Sequence, residues 1–152
     1  MATSCVRARG RGTELTRVHG IRNPVVIAKP ALSVSTAEVY RGIDHCEILR
    51  RPDNDQLVRD LREGSDSAYE NFVNVLECYT LNAYPQVRAL KERMQDSEAR
   101  CVLMSGSGPT VFAFASEKAA RNLLKAAPRP ELGRIFPVRP VAEGILPGTG
   151  NE

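Results

Sequence analysis

Ser105-Gly106-Ser107-Gly108-Pro109-Thr110 lies between two short apolar runs and is the strongest local feature that could do chemistry. Its two glycines permit positive φ and a close approach of a ligand or of another backbone segment. Such a loop can aim backbone N–H groups at a phosphate. No Lys follows it, so it is not a Walker A loop, and its glycine spacing is not the dinucleotide fingerprint. A hairpin turn whose glycines serve geometry alone accounts for the same residues. Thr36 is the second candidate, a hydroxyl just beyond an apolar run and at the start of a helical pattern, well placed to touch a bound ligand. Capping of the helix is the more ordinary use of a hydroxyl there.

Other chemistries find little support. The two histidines, His19 and His45, fall in loop-like segments with no motif around them, so a Ser-His-acid set is not indicated. No catalytic residue is assigned within residues 1–152. Cys5, Cys46, Cys78 and Cys101 form no Cys-x-x-Cys pair, and no His, Cys and carboxylate group has ligand spacing, so no metal site and no disulfide framework are expected. Free thiols fit a reducing, cytoplasmic setting. Asp44 and Asp53 flank a charged segment and read as solvated side chains.

The elements that would position these residues follow from period and punctuation. Glu14 to Val18 suggests a short strand, and Pro24 to Lys29, with Val25, Val26 and Ile27 in succession, suggests a buried one ended by Pro30. Ser35-Thr36-Ala37-Glu38 has the pattern of a helix N-terminus, with Glu38 in the electropositive first turn, and a short helix through Tyr40 is expected. Asp44 to Asp55 reads as a loop. Leu57, Val58 and Leu61 suggest a helix stopped by Gly64. Tyr69, Phe72, Val73 and Leu76 fall at i, i+3, i+4 and i+7, which predicts a helix with that face in the core. Pro85 sits well in the first turn of another, with Val87, Leu90 and Met94 inward. Arg100 to Met104 and Thr110 to Ala115 read as a β-hairpin around the glycine loop. Ser116 caps a helix with Ala119, Ala120, Leu123, Leu124 and Ala127 inward, halted by Pro128 and Pro130. A final strand at Ile135 to Val138 carries Pro137, with Pro140 beyond it, which favours a sheet edge. Without the inserted helices the order is strand, helix, strand, strand, helix, strand, the ferredoxin-like split βαβ arrangement of an α+β domain.

A chain of 152 residues with 42% hydrophobic content suits one domain with a real core. The net charge of +3, from 21 basic and 18 acidic residues, is scattered rather than gathered, which argues against nucleic acid. The abundance of arginine suits an anionic small molecule. No apolar stretch approaches the ~18 residues of a membrane span, so no membrane partner is expected. The arginine-rich opening from Met1 to Gly12 mimics a transit peptide but is too short and poor in serine.

Three separated segments carry a resemblance. They are Lys29-Pro30-Ala31-Leu32-Ser33-Val34-Ser35-Thr36-Ala37-Glu38-Val39-Tyr40, Asn71-Phe72-Val73-Asn74-Val75-Leu76-Glu77 and Met104-Ser105-Gly106-Ser107-Gly108-Pro109-Thr110-Val111-Phe112. In this order and spacing the chain resembles the C-terminal half of the 4-diphosphocytidyl-2-C-methyl-D-erythritol kinases, within the GHMP kinases. Ala8 to Leu15 also resembles the strand that enters that half.

The resemblance implies a GHMP kinase C-terminal domain over 1–143, and the residues from Gly144 read as a disordered tail over 144–152. It implies an ATP- and Mg-dependent kinase acting on the 2-hydroxyl of the erythritol unit, a step of the non-mevalonate route to isoprenoid precursors. By the same resemblance Thr36 lies near the substrate, and Ser105, Gly106, Ser107, Gly108 and Thr110 complete the active-site wall. The family's Pro-x-x-x-Gly-Leu-Gly-Gly-Gly-Ser-Ser loop has no match here, nor do its catalytic lysine and aspartate. The chain alone is therefore expected to be inactive, to bind no ATP or Mg by itself, and to pair with a separate N-terminal kinase domain or with itself through the uncovered interface. Two other readings stay open: a freestanding non-catalytic small-molecule-binding module, and the C-terminal domain of a homoserine- or mevalonate-type kinase.

Overall fold

A computed structural model describes residues 5–125 and 133–140. The chain opens with a hairpin of its own, β1 (Val6–Arg9) paired antiparallel with β2 (Glu14–Arg17). The arginine-rich opening is thus partly strand, and Arg7 Nη1 donates to Asp55 Oδ1 at 2.6 Å, which ties the hairpin to the first turn of α2 (Asn54–Glu63). The main sheet has four strands in the order β4 (Cys101–Met104), β5 (Val111–Phe114), β3 (Val25–Lys29), β6 (Arg134–Val138), and every neighbouring pair is antiparallel. β5 therefore separates the two strands that a long helical excursion joins. Pro137 is tolerated because β6 is an edge strand.

The excursion holds α1 (Thr36–Gly42), α2, α3 (Glu77–Ala83) and α4 (Pro85–Gln95), and α5 (Glu117–Lys125) joins β5 to β6. Period 2 along the strands sets the layers. Val26 and Ala28 of β3 and Val111 and Ala113 of β5 are fully buried on one face, against Val39 of α1, Val87, Leu90 and Met94 of α4, and Ala119, Ala120 and Leu123 of α5. Removing these side chains from water is the main stabilising term, about 1.5–3 kcal/mol for each large aliphatic. The other face carries Phe112 and Phe114.

One predicted helix does not form. Residues 66–70 make a short 3-10 turn, the chain from Asn71 to Leu76 is non-helical, and α3 starts only at Glu77. Tyr69 and Phe72 cross to the second face of the sheet, where their ring centroids lie 5.7 and 5.4 Å from Phe114. Only Leu76 of the four joins the main core. The cause lies in polar side chains that compete for backbone partners. Ser65 Oγ accepts from Ser67 N–H, Asn71 Nδ2 donates to Asp60 Oδ2 and Ser67 O, and Asn74 Oδ1 accepts from Leu76 N–H.

Asp53, read as solvated, is the N-cap of α2 and accepts from Gln56 N–H at 2.9 Å. Gly64 ends that helix at φ +66°. The expectations for Ala127, Pro128, Pro130 and the tail 144–152, and the domain boundary at 143, fall outside the described residues. Among the described residues no helix is long and apolar enough to cross a membrane.

Candidate functional site

The glycine loop links β4 to β5 and stands over the start of α1. Ser105 N–H donates to Thr110 O at 2.8 Å and Gly108 N–H to Ser105 O at 3.0 Å, closing the turn on itself. Gly106 (φ +55°) and Gly108 (φ +87°) both occupy the left-handed region. At Gly108 the need for glycine is also one of space, since a Cβ there would stand 2.7 Å from Met104 Sδ and 3.4 Å from Thr80 Cγ2. The N–H groups of Gly106 and Ser107 take no acceptor among the described residues.

The two groups singled out in the sequence meet. Thr36 Oγ1 and Ser107 Oγ are 2.9 Å apart, across 71 residues of chain. Ser35, not Thr36, caps α1, its hydroxyl accepting from Glu38 N–H at 3.3 Å. Helix capping therefore does not occupy the Thr36 hydroxyl, which is exposed beside the loop.

Both sides of this contact are held from beneath. Asn74 Nδ2 donates to Met104 O and to Gly106 O, each at 2.8 Å. Thr80 Oγ1, fully buried in α3, donates to Ser107 O at 3.2 Å. Glu77 Oε1 accepts from Met104 N–H at 2.7 Å, and its other oxygen pairs with Lys91 Nζ at 2.5 Å. On the α1 side, Tyr79 OH and Tyr84 OH donate to the two oxygens of Glu38 at 2.9 and 3.1 Å. The Glu38 hydrogen bond pushes the Tyr79 phenol above its ordinary range, with burial adding to it. For Tyr84 burial leads and Glu38 follows. Gly42 lets the Tyr79 ring lie against α1, because a Cβ there would come within 2.1 Å of it.

Sequence reading missed Asn74, Thr80 and the Tyr79–Glu38–Tyr84 clamp as supports. Asn74 left a signal: it is a polar residue inside an otherwise apolar run, and helical period alone hid it. The tyrosines left none, since their partner is about 40 residues away in the chain.

His19 lies in the segment between β2 and β3, and His45 lies in the short turn after α1. Among the described residues no group of three or more His, Cys, Asp or Glu side chains could hold a metal ion. A cavity of about 590 Å³ opens beside the loop, between residues 45–50, residues 72–78 and β4. It shares Asn74 and Glu77 with the loop's supports, but neither Thr36 nor Ser107 lines it.

Residues 48–130 match a family described as "GHMP kinases C terminal". A 4-diphosphocytidyl-2-C-methyl-D-erythritol kinase of Alkaliphilus metalliredigens (strain QYMF) is 45% identical over 107 residues, which is 69% of this chain and 37% of that protein. A crystal structure of 4-(cytidine 5'-diphospho)-2C-methyl-D-erythritol kinase superposes with a TM-score of 0.68 at 27% identity, covering 87% of this chain and 48% of the other. A homoserine kinase from Cytophaga hutchinsonii ATCC 33406 superposes at 0.66 with 19% identity, covering 91% and 49%, a likeness of fold alone. The chain spans half the length or less of these proteins.

Proposed function

Because the chain belongs to the GHMP kinases, through their C-terminal domain, we propose that it is the acceptor-side half of a kinase that transfers phosphate from ATP to the 2-hydroxyl of 4-diphosphocytidyl-2-C-methyl-D-erythritol. The observation that carries this reading is the contact between Thr36 and Ser107, which joins the Ser-Val-Ser-Thr-Ala-Glu segment to the glycine loop in one exposed rim. The homoserine kinase shares the fold without close sequence likeness, whereas the erythritol-type kinases share the sequence as well.

In this reading Thr36 contacts the substrate, and Ser105, Gly106, Ser107, Gly108 and Thr110 form one wall of the closed site. The free N–H groups of Gly106 and Ser107 add partial positive charge near the transferring phosphoryl group, where such charge stabilises the transition state. In the complete kinase ATP brings the phosphoryl group and Mg neutralises its charge. Among the described residues no group of three or more His, Cys, Asp or Glu side chains could hold the metal, so no catalytic step is assigned to this chain through it.

In this reading the ATP-holding half and the catalytic groups lie in an N-terminal kinase domain outside residues 1–152. Exposed Val6 and Leu15 of the opening hairpin supply apolar surface for that half to cover. We take the domain as 1–143, and its four free thiols suit a cytoplasmic setting.

The test is ATP-dependent phosphorylation of 4-diphosphocytidyl-2-C-methyl-D-erythritol by the chain alone and after mixing with a separately made N-terminal half of a related kinase. Turnover only in the mixture is expected. Turnover by the chain alone, or silence in a mixture shown to associate, would overturn the reading.

A further inference from the structure

Outside the rim, the described residues bring three of the four cysteines to one place. Cys46, Cys78 and Cys101 all line the 590 Å³ cavity, and all are partly exposed to it. Cys78 Sγ stands 3.7 Å from the carbonyl of Glu47, the residue next to Cys46, so the two cysteines border the same part of the cavity. Cys101 lies on β4, with Lys91 and Glu77 as its charged neighbours.

We propose that Cys46 and Cys78 are a reversible oxidation site, closing to an intramolecular disulfide on reaction with a low-molecular-weight disulfide. The Cys46 thiolate attacks one sulfur of the oxidant and releases a first thiol, leaving a mixed disulfide on Cys46. Cys78 then loses its proton and displaces the second thiol, so that one S–S bond forms, one breaks, and the oxidant gains two electrons and two protons as two thiols. Burial, with Cys46 adding to it, pushes the Cys78 thiol up to about 11, so Cys78 is poorly suited to the first attack and takes the resolving step. The open cavity admits a small oxidant to both sulfurs.

The position gives the bond a structural consequence. Cys78 directly precedes Tyr79, which grips Glu38 of α1, and Thr80, which holds the Ser107 carbonyl. A bond to Cys46 would tether α3 to the segment that follows α1, bracing both supports of the rim. The proposal does not depend on the acceptor assigned above, because its readout is chemical linkage.

The experiment treats the reduced chain with oxidised glutathione, blocks remaining thiols by alkylation, and maps tryptic peptides without reduction. The two thiols lie in separate peptides, residues 42–50 and 63–88, while Cys101 lies in a third that begins at Cys101. The expected product is monomeric chain that has lost two hydrogens, with 42–50 linked to 63–88 in most molecules. Linkage should vanish in Cys46→Ser and in Cys78→Ser and persist in Cys101→Ser. Backbone hydrogen exchange across residues 76–83 should slow in the oxidised chain. Linkage to the Cys101 peptide, glutathione adducts without an internal bond, or unchanged exchange with the bond formed would overturn the proposal.

Discussion

Replacing Asn74 by Ala removes three hydrogen bonds at once while leaving the apolar packing in place. Its Nδ2 bridges the carbonyls of Met104 and Gly106, and its Oδ1 accepts from Leu76 N–H at 3.1 Å. At about 1 kcal/mol net for each bond, the sum is about 3 kcal/mol of folding stability. Gly106 is exposed, so solvent can satisfy its carbonyl, whereas Met104 and Leu76 are buried, so their orphaned groups make this sum a lower bound. For a chain of this length that loss corresponds to a fall in Tm of roughly 6–12 °C.

Urea unfolding followed by far-UV circular dichroism measures the change directly, with an unchanged slope on denaturant showing that the same transition is observed. Asn82→Ala is the control, because its two bonds, from Nδ2 to Cys78 O and from Arg88 Nη2 to Oδ1, are both exposed to solvent, and their loss should cost under about 1 kcal/mol. Asn74→Asp should be no better than Asn74→Ala, since an ionised carboxylate would face two carbonyl oxygens. A loss under about 0.5 kcal/mol for Asn74→Ala would refute the claim that this side chain holds the loop.

Further outcomes follow from the same geometry. Gly106→Ala meets no atom within 4 Å and should cost about 1–2 kcal/mol for its φ alone, whereas Gly108→Ala adds the Met104 contact and should cost more, as thermal melts of the two variants would show. Gly42→Ala drives a methyl into the Tyr79 ring and should destabilise by more than about 2 kcal/mol, and in a Tyr79→Ala background most of that cost should disappear, a non-additivity read from a double-mutant cycle. The folded-state pKa values of Tyr79 and Tyr84 lie above the ordinary 10.0, so their contribution is full below pH 10 and is lost as pH rises through the folded values; urea titrations across this range should show the fall, and Tyr79→Phe should flatten it. The Asp60 carboxyl is held below 3.8, first by the Gln56 hydrogen bond, then by Asn71 against the opposing effect of burial. Its contribution is present above that pH and fades as pH falls through the folded value, so Asp60→Asn should remove part of the acid sensitivity.

β1 lay hidden in the arginine-rich opening, but β2 to β6, α1, α2, α4 and α5 were legible because each announces itself locally, by a run of apolar or β-branched residues, a capping Ser, Pro85 at a first turn or Gly64 at an end. The stretch from Asp66 to Leu76 was not. Its apolar spacing matched a helix, but Ser65, Asn71 and Asn74 claimed the backbone, and the sheet's second face offered Tyr69 and Phe72 another place to pack. The candidate rim was half legible. Residue type singled out Thr36 and the glycine loop, but their contact spans 71 residues and needed β5 to be seated between β3 and β4. The supports beneath were hidden for the same reason, because Glu38, Thr80 and Glu77 each look like ordinary helix residues until their partners arrive.

The most direct test of the central claim is a mixed assay in which the chain and an associating N-terminal half receive radiolabelled ATP with one of three acceptors. Label should pass to 4-diphosphocytidyl-2-C-methyl-D-erythritol and not to homoserine or mevalonate, and Thr36→Val should cut that transfer at least tenfold without weakening association. Label on homoserine or mevalonate, or full transfer by the Thr36→Val chain, would contradict the account.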